Sequence, residues 1–346
     1  MKQATIIAGL MSICGLCHAQ GDGKIHLLNQ LDLAVTAGTT GIGLELSTPV
    51  GDYVRVRAGY DFMPRFQKTM TFNVQMADDE YSRQLYESNR EKYDQYMQER
   101  FDRISGKLND LMGLEVDNSI DMLGKPTMNH FKLLVDVYPF YNKHWHVTGG
   151  FYYSPSATIA EALNSAHDAT APVGVGIYNK LIDKLNASME YDADWDEYGF
   201  TYGGTQIWVS GDDESNKTMY SLCSAAYNKE YMGVNMGVKE DGTPYTLFPA
   251  EDNTLSAKMK TNRFKPYIGF GYEGLLTKKE PGWRIGFDCG VLFWGGKPSV
   301  ITHDGTDLTR EVKDLRGQVK DYVNIAKAFV VYPAISLRIS KTLYSK

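Results

Sequence analysis

The stretch Val54-Arg55-Val56-Arg57-Ala58-Gly59-Tyr60-Asp61-Phe62 alternates without a break. In an extended chain successive side chains point to opposite faces. Val54, Val56, Ala58, Tyr60 and Phe62 therefore share one face, and Arg55, Arg57, Gly59 and Asp61 share the other. In a soluble barrel the apolar face would meet a core. In a membrane barrel it meets lipid, and the charges line the lumen. The neighbouring segments decide between these two.

Seven more runs alternate in the same way, at 31–38, 41–47, 131–138, 145–153, 264–273, 283–294 and 331–340. The links after the second, fourth and sixth runs are short, at 48–53, 139–144 and 275–282. Those after the third, fifth and seventh are long, at about 67–129, 155–262 and 295–328. The link after the first run, Gly38 to Gly41, is tight and breaks the rule. An even number of strands with short turns at one end and long loops at the other is the pattern of a bacterial transmembrane barrel. The expected fold is all-β: an eight-stranded antiparallel transmembrane β-barrel with large, partly helical extracellular loops.

The polar faces of these runs carry six acids, Asp32, Glu45, Asp61, Asp136, Glu273 and Asp288. They also carry six bases, Arg55, Arg57, Lys132, Lys265, Arg284 and Arg338. The apolar faces carry none. A narrow eight-stranded barrel has an interior that side chains fill, so the twelve charges are expected to pair into a network that closes the lumen. A ring of one sign, the mark of an ion-selective pore, is missing. Glycines on the same faces leave room for crowded interior side chains. Aromatic residues gather at both ends and predict two interfacial girdles. Tyr53, Tyr138, Phe140, Tyr141, Trp145, Trp283 and Tyr344 stand at the short-turn end. Tyr60, Phe62, Phe151, Tyr153, Phe264, Phe293 and Trp294 stand at the long-loop end.

Composition agrees with this. The chain has 346 residues, 33 glycines, 23 tyrosines and a formal charge of −6. An acidic balance without a basic stripe disfavours nucleic acid as a partner. A mean hydropathy of −0.35 excludes a bundle of apolar membrane helices. Residues 1–19 have the form of a secretory signal peptide: Lys2, an apolar stretch from Ala4 to Leu16, then Cys17-His18-Ala19 before a cut. Residues 20–346 are then the barrel, in a cell outer membrane, with lipid as its surroundings. Cys223 and Cys289 remain, and both are expected to be free.

The long loops carry apolar stripes at helical spacing. They predict helices over about 78–112, between Gly174 and Met189, and from Thr309 to about Ala328. The three are expected to pack on each other as an outer cap. The segment Asp192 to Tyr245 is rich in aromatics among Asp, Asn and Gly. Trp195, Tyr198, Tyr202 and Trp208 are its candidate contacts for an extracellular glycan or protein.

Chemistry is sparse. A rim enzyme needs a nucleophile beside a general base. His144 and His146 lie at the short-turn end, and His130 and His303 at the outer end, with no motif that fixes a nucleophile beside them. No enzyme is expected. Asp192, Asp194 and Asp196 alternate like the start of a calcium loop, but Glu197 and Gly203 occupy the positions that such a loop reserves for Gly and Glu. No Cys/His spacing fits zinc, and no cofactor is expected.

His146-Val147-Thr148-Gly149-Gly150-Phe151-Tyr152-Tyr153, Lys265-Pro266-Tyr267-Ile268-Gly269-Phe270-Gly271-Tyr272 and Gly286-Phe287-Asp288-Cys289-Gly290-Val291-Leu292-Phe293-Trp294-Gly295 resemble strands of the small outer-membrane β-barrel proteins of Bacteroidetes bacteria. The resemblance covers the strands and not the loops. It implies an architecture rather than an activity, since most members have no assigned function. It also implies a barrel assembly machinery as partner, which reads a terminal aromatic; here Tyr344 is followed by Ser345-Lys346. The function expected is structural or surface-interacting, with a small channel or transporter as the alternative and a rim enzyme third.

Overall fold

The computed structural model describes residues 29–164, 170–191, 198–208, 213–277 and 282–345. The expected signal peptide, Trp195 and the Asp192–Asp196 alternation lie outside these residues. The chain runs β1 Gln30–Gly38, β2 Gly41–Gly51, β3 Val54–Phe62, β4 Lys68–Asn73, β5 Gln75–Met76, α1 Glu80–Ser88, α2 Arg90–Met112, β6 Ser119–Pro126, β7 Asn129–Val137, β8 Trp145–Tyr153 and β9 Thr158–Asn164. It continues α3 Thr170–Ser188, β10 Met189–Tyr191, β11 Tyr198–Tyr202, β12 Thr205–Trp208, α4 Glu214–Tyr227, β13 Met232–Val238, β14 Pro244–Leu247 and β15 Ser256–Lys260. Last come β16 Phe264–Leu275, β17 Trp283–Phe293, β18 Ser299–Thr302, α5 Gly317–Ala328 and β19 Val331–Ser345.

The eight alternating runs form one closed antiparallel barrel, in the order β1-β19-β17-β16-β8-β7-β3-β2. Each strand pairs with its sequence neighbours, and β1 closes on β19 with Gln30 opposite Ser345. The alternation is inverted relative to a soluble barrel. Leu33, Val35, Ile42, Leu44, Leu46, Phe131, Val147, Ile268, Phe270, Ile335 and Leu337 face outward and are exposed, while Arg57, Asp136, His146 and Asp288 are buried inside. The tight β1–β2 turn requires glycine at Gly41. Its φ is +113°, and a Cβ there would sit 2.3 Å from the Phe62 carbonyl oxygen.

At the long-loop end the wall continues. β18, β15, β9, β6 and β4 form a five-stranded sheet in that order, the order in which β17, β16, β8, β7 and β3 follow one another below. Backbone bonds such as Met63 N to Met128 O and Ser154 N to Arg263 O carry the ladder across the junction. The result is a half-wall standing on one side of the barrel mouth. Residues of that half-wall, Ile120 and Met122 with Phe72, Ala162 and Val300, join a core built from Met97, Ile104 and Leu108 of α2, Val175, Tyr178 and Ile182 of α3, Leu222 of α4 and Val319 of α5.

The cap differs from the sequence expectation in three ways. The helix expected over 78–112 is two helices, because Asn89 leaves helical geometry (φ −154°, ψ 100°) and its side chain caps α2 by accepting from Lys92 N. The aromatic segment contains the helix α4, which had no strong apolar stripe to reveal it. The three expected helices share one core but meet chiefly through other elements: α2 and α3 both pack on α4, and α5 packs on β13.

α1 begins with a reciprocal capping box. Asp79 Oδ1 accepts from Ser82 N at 2.6 Å, and Asp79 N donates to Ser82 Oγ at 3.0 Å. Tyr96 and Arg100 of α2 also bind the Asp79 carboxylate, at 2.8 and 3.1 Å. Burial raises the pKa of this carboxyl, but the Ser82, Tyr96 and Arg100 contacts outweigh it and hold it below the usual value. Its contribution to cap stability is therefore present above about pH 4, the unfolded carboxyl value, and is lost as pH falls through the lowered folded value. Asp79→Ala should loosen α1, at a cost of about 0.5–2 kcal/mol. Faster limited proteolysis near residues 78–90 at neutral pH is the measurement, and an unchanged rate would contradict the role assigned to the cap.

Candidate functional site

The barrel interior is largely charged, from the short-turn end up to Asp61, the penultimate residue of β3. Arg57, 1 % exposed, reaches Asp136 at 2.8 Å, Asp288 at 3.0 Å and Glu45 at 3.4 Å. Lys132 binds Asp61 at 2.7 Å and Glu45 at 3.2 Å. His146 Nε2 lies 2.9 Å from Asp288. A second group centres on Glu273, which contacts Arg55 at 3.1 Å, Arg338 at 3.3 Å and Arg284 at 3.8 Å. Arg55 also reaches Asp32 at 3.5 Å. Directly opposite neighbours are not the partners: Arg55 stands opposite Asp136 across β3 and β7, but they pair with Glu273 and Arg57, and Asp288 stands opposite Ser336 and Gly271, whose small size leaves space in the lumen.

Eleven of the twelve expected lumen charges meet an opposite charge. Lys265 does not: its ammonium donates to Ser154 Oγ at 2.6 Å, and no acid lies within ion-pair distance among the described residues. Arg284 is a weak member, with its side chain 34 % exposed. Ser154 also lies 3.4 Å from His130 Nδ1, so a hydroxyl, an imidazole and an amine do meet at the outer end. All three are buried, at 2 %, 1 % and 0 % exposure, and the Tyr152 ring packs edge-on against His130. Because Lys265 is desolvated without an ionic partner, Lys265→Met should leave stability unchanged or raised. The readout is the temperature at which the folded band is lost on SDS gels; a marked fall would mean that Lys265 is held by more than Ser154.

The rest of the interior is apolar and aromatic. Met63, Met128, Leu134, Tyr152, Ile159, Tyr267, Leu292, Trp294 and Ala334 form one buried cluster beside the charges, with Leu134 opposite Arg57 and Tyr152 opposite Lys132. Tyr267 lies across Gly269 and Gly290, where a Cβ would come within 2.3 and 2.6 Å of its hydroxyl. The expected girdles need two corrections here. Trp294 is buried and stacks on Tyr332, and Tyr138 is buried with its hydroxyl donating to Glu273 at 3.3 Å. Both have the parity of the inward residues of their strands, so strict alternation would have placed them inside. The remaining outward aromatics, Tyr53, Phe140, Tyr141 and Trp145 at one end and Phe62, Tyr153, Phe264 and Phe293 at the other, are exposed. Lys341 lies over the Trp283 ring at the short-turn end.

Of the candidate partner contacts, Trp195 is outside the described residues. Tyr198 and Trp208 are opposite each other in backbone pairing between β11 and β12, and Tyr202, at the β11 end of the same hairpin, is exposed. Neighbouring aromatics are turned inward: Phe200 is buried against Tyr191, Tyr220 and Tyr227. Cys223 and Cys289 are free thiols. Burial pushes the Cys223 thiol up to about 11, so it is protonated and unreactive at neutral pH. His303 Nδ1 accepts from Ser256 N at 3.4 Å and belongs to the half-wall.

No family model matches the chain, and no curated protein matches it. Two solved structures align along most of it. The crystal structure of Acinetobacter baumannii CarO2 is 14% identical, covering 90% of this chain and 98% of that one, with a TM-score of 0.35. That of Acinetobacter baumannii CarO is 12% identical, covering 92% and 99%, also with a TM-score of 0.35. Likeness at this level assigns no function.

Proposed function

We propose that this protein is an outer-membrane β-barrel that anchors a folded extracellular cap, and that the cap meets an external partner. The observation that carries the reading is the inverted barrel: an uninterrupted apolar surface outside, with the mid-strand charges inside. In water such a surface would be a very large exposed apolar patch, which soluble monomers avoid. In a bilayer it is the lipid-facing band, and the exposed aromatics at its two ends are the interfacial girdles.

The lumen supports an anchor rather than a channel. The ion pairs and the aromatic cluster beside them occupy the narrow interior, so a solute would have to break buried ion pairs to pass. Planar bilayers containing the purified protein should carry no stable single-channel current. Large, reproducible conductance steps would overturn the sealed lumen and favour a transporter. Protease applied to whole cells tests the orientation. Cleavage in the cap, between residues 67 and 129 or 155 and 262, is expected without opening the periplasm; cleavage only after the periplasm is opened would reverse the topology.

A further inference from the structure

We infer that the outer face of the half-wall, just beyond the aromatic girdle, binds the headgroup of a phosphate-bearing glycolipid in the outer leaflet. This rests on the proposed orientation, with the cap outside the cell.

The chain as a whole is acidic, with a formal charge of −6. The half-wall and the links that join it to the barrel are the reverse. Those links, 63–67, 127–128, 154–157, 261–263 and 294–298, contain Arg65, Arg263 and Lys297, all exposed, and no acid. The strands add Lys68, Lys125, Lys258 and Lys260 against Asp121 and Glu161. Asp121 lies toward the far end, held by Thr71 at 2.5 Å. Alternation sorts the others by face. Ile120, Met122, Ala162 and Val300 turn to the cap core. Lys125, Glu161 and Lys258 therefore lie side by side on the opposite face, with Glu161 opposite Lys125 on one side and Lys258 on the other. Lys260 follows two residues on in β15. Glu161 binds Lys258 at 3.3 Å. Arg65, Lys125, Lys260, Arg263 and Lys297 have no acid within 4.0 Å among the described residues, so this side of the mouth presents a positive field to an outside anion.

Position makes the partner a lipid. The barrel strands below end in the exposed rings of Phe62, Phe131, Tyr153, Phe264 and Phe293, so the basic face continues the lipid-facing surface upward. Lys260 and Lys125 stand four and six residues beyond Phe264 and Phe131. At about 3.3 Å per residue and a strand tilt of about 40°, they lie about 10–15 Å above the girdle. A simple phospholipid headgroup layer is only about 5–8 Å deep. A headgroup of phosphorylated sugars is deeper, and lysine stems bend toward it. Lys125 and Lys258 are two strand spacings apart, about 10 Å, so a headgroup with more than one phosphate spans them.

Titration of the purified protein in neutral detergent tests this, with bound lipid counted by native mass spectrometry. The probes are a bisphosphorylated glucosamine glycolipid, the same lipid dephosphorylated, phosphatidylglycerol and inorganic phosphate. The bisphosphorylated lipid should be retained, and less of it as salt rises. Lys125→Gln/Lys258→Gln/Lys260→Gln should weaken its binding at least about tenfold. Lys92→Gln/Lys180→Gln/Lys217→Gln, an equal loss of charge on α2, α3 and α4, should leave it unchanged. Both triple variants should keep the folded band on unheated SDS gels, since surface substitutions change stability little. No retention, equal retention of the dephosphorylated lipid, or equal weakening by the two triple variants would overturn the site. Phosphatidylglycerol binding as tightly would overturn the glycolipid, and inorganic phosphate binding as tightly would overturn the lipid. None of these outcomes depends on conductance or on protease access to cells, so this site and the anchor reading fail separately.

Discussion

Arg57→Ala should cost the barrel about 3–5 kcal/mol, the cost of removing one partner from a buried ionic group. Arg57 is the common partner of Glu45, Asp136 and Asp288. Truncating it leaves three carboxylates buried, with only Lys132 on Glu45, Thr148 on Asp136 and His146 on Asp288 to answer them. The measurement is the urea midpoint for unfolding from detergent or lipid vesicles. Arg57→Lys keeps the charge but loses the planar fork that reaches three acids, and should fall between wild type and Arg57→Ala. Arg57→Ala combined with Asp288→Asn should be less damaging than the two single losses added, because the double change removes a charge from each side. An unchanged midpoint for Arg57→Ala would mean that water replaces the guanidinium, and the lumen would not be the filled interior described here.

The contrast between Arg57 and Lys265 bears on what the sequence could reveal. Both are inward bases on alternating strands, and period-two patterning treats them alike. Their partners depend on shear and register. Arg57 faces carboxylates from β2, β7 and β17, whereas Lys265, near the mouth, finds only Ser154. No local pattern carries that information. The aromatic cluster is the opposite case. Leu134, Tyr152, Tyr267, Leu292 and Trp294 all have inward parity, so they were legible from alternation alone. Reading Trp294 as a girdle residue because it lies near a strand end hid that cluster, and the same reading of Tyr138 hid a partner of Glu273. The half-wall was hidden for a different reason. Its strands run only four to eight residues, and they pair over long separations, Ala160 with Met259 for example. Short runs give little periodicity, and their stability comes from the cap core packed against them. α4 escaped notice because its buried residues include Thr218, Cys223, Ala225 and Ala226, which form a small-residue face rather than a strong apolar stripe.

The outward face gives the second large effect, and it separates the two environments that the opening stretch of sequence left open. Leu44 is 58 % exposed at mid-strand in β2, and Leu337 is 63 % exposed in β19. On a soluble barrel each could become arginine with a change within about 0.5 kcal/mol, because an exposed side chain has few contacts to lose. In a bilayer the same guanidinium would enter hydrocarbon, at a cost of about 2–4 kcal/mol near the midplane. Leu44→Arg and Leu337→Arg should therefore each lower the stability of the barrel in lipid vesicles by that amount. The corresponding change near the short-turn end, Phe140→Arg, should cost about 1 kcal/mol or less, because arginine there reaches the headgroups. This depth dependence is the decisive part. A general loss of packing would not distinguish Leu44 from Phe140, since both side chains are exposed and neither fills a core. Equal, near-zero effects at all three positions would remove the membrane from the account.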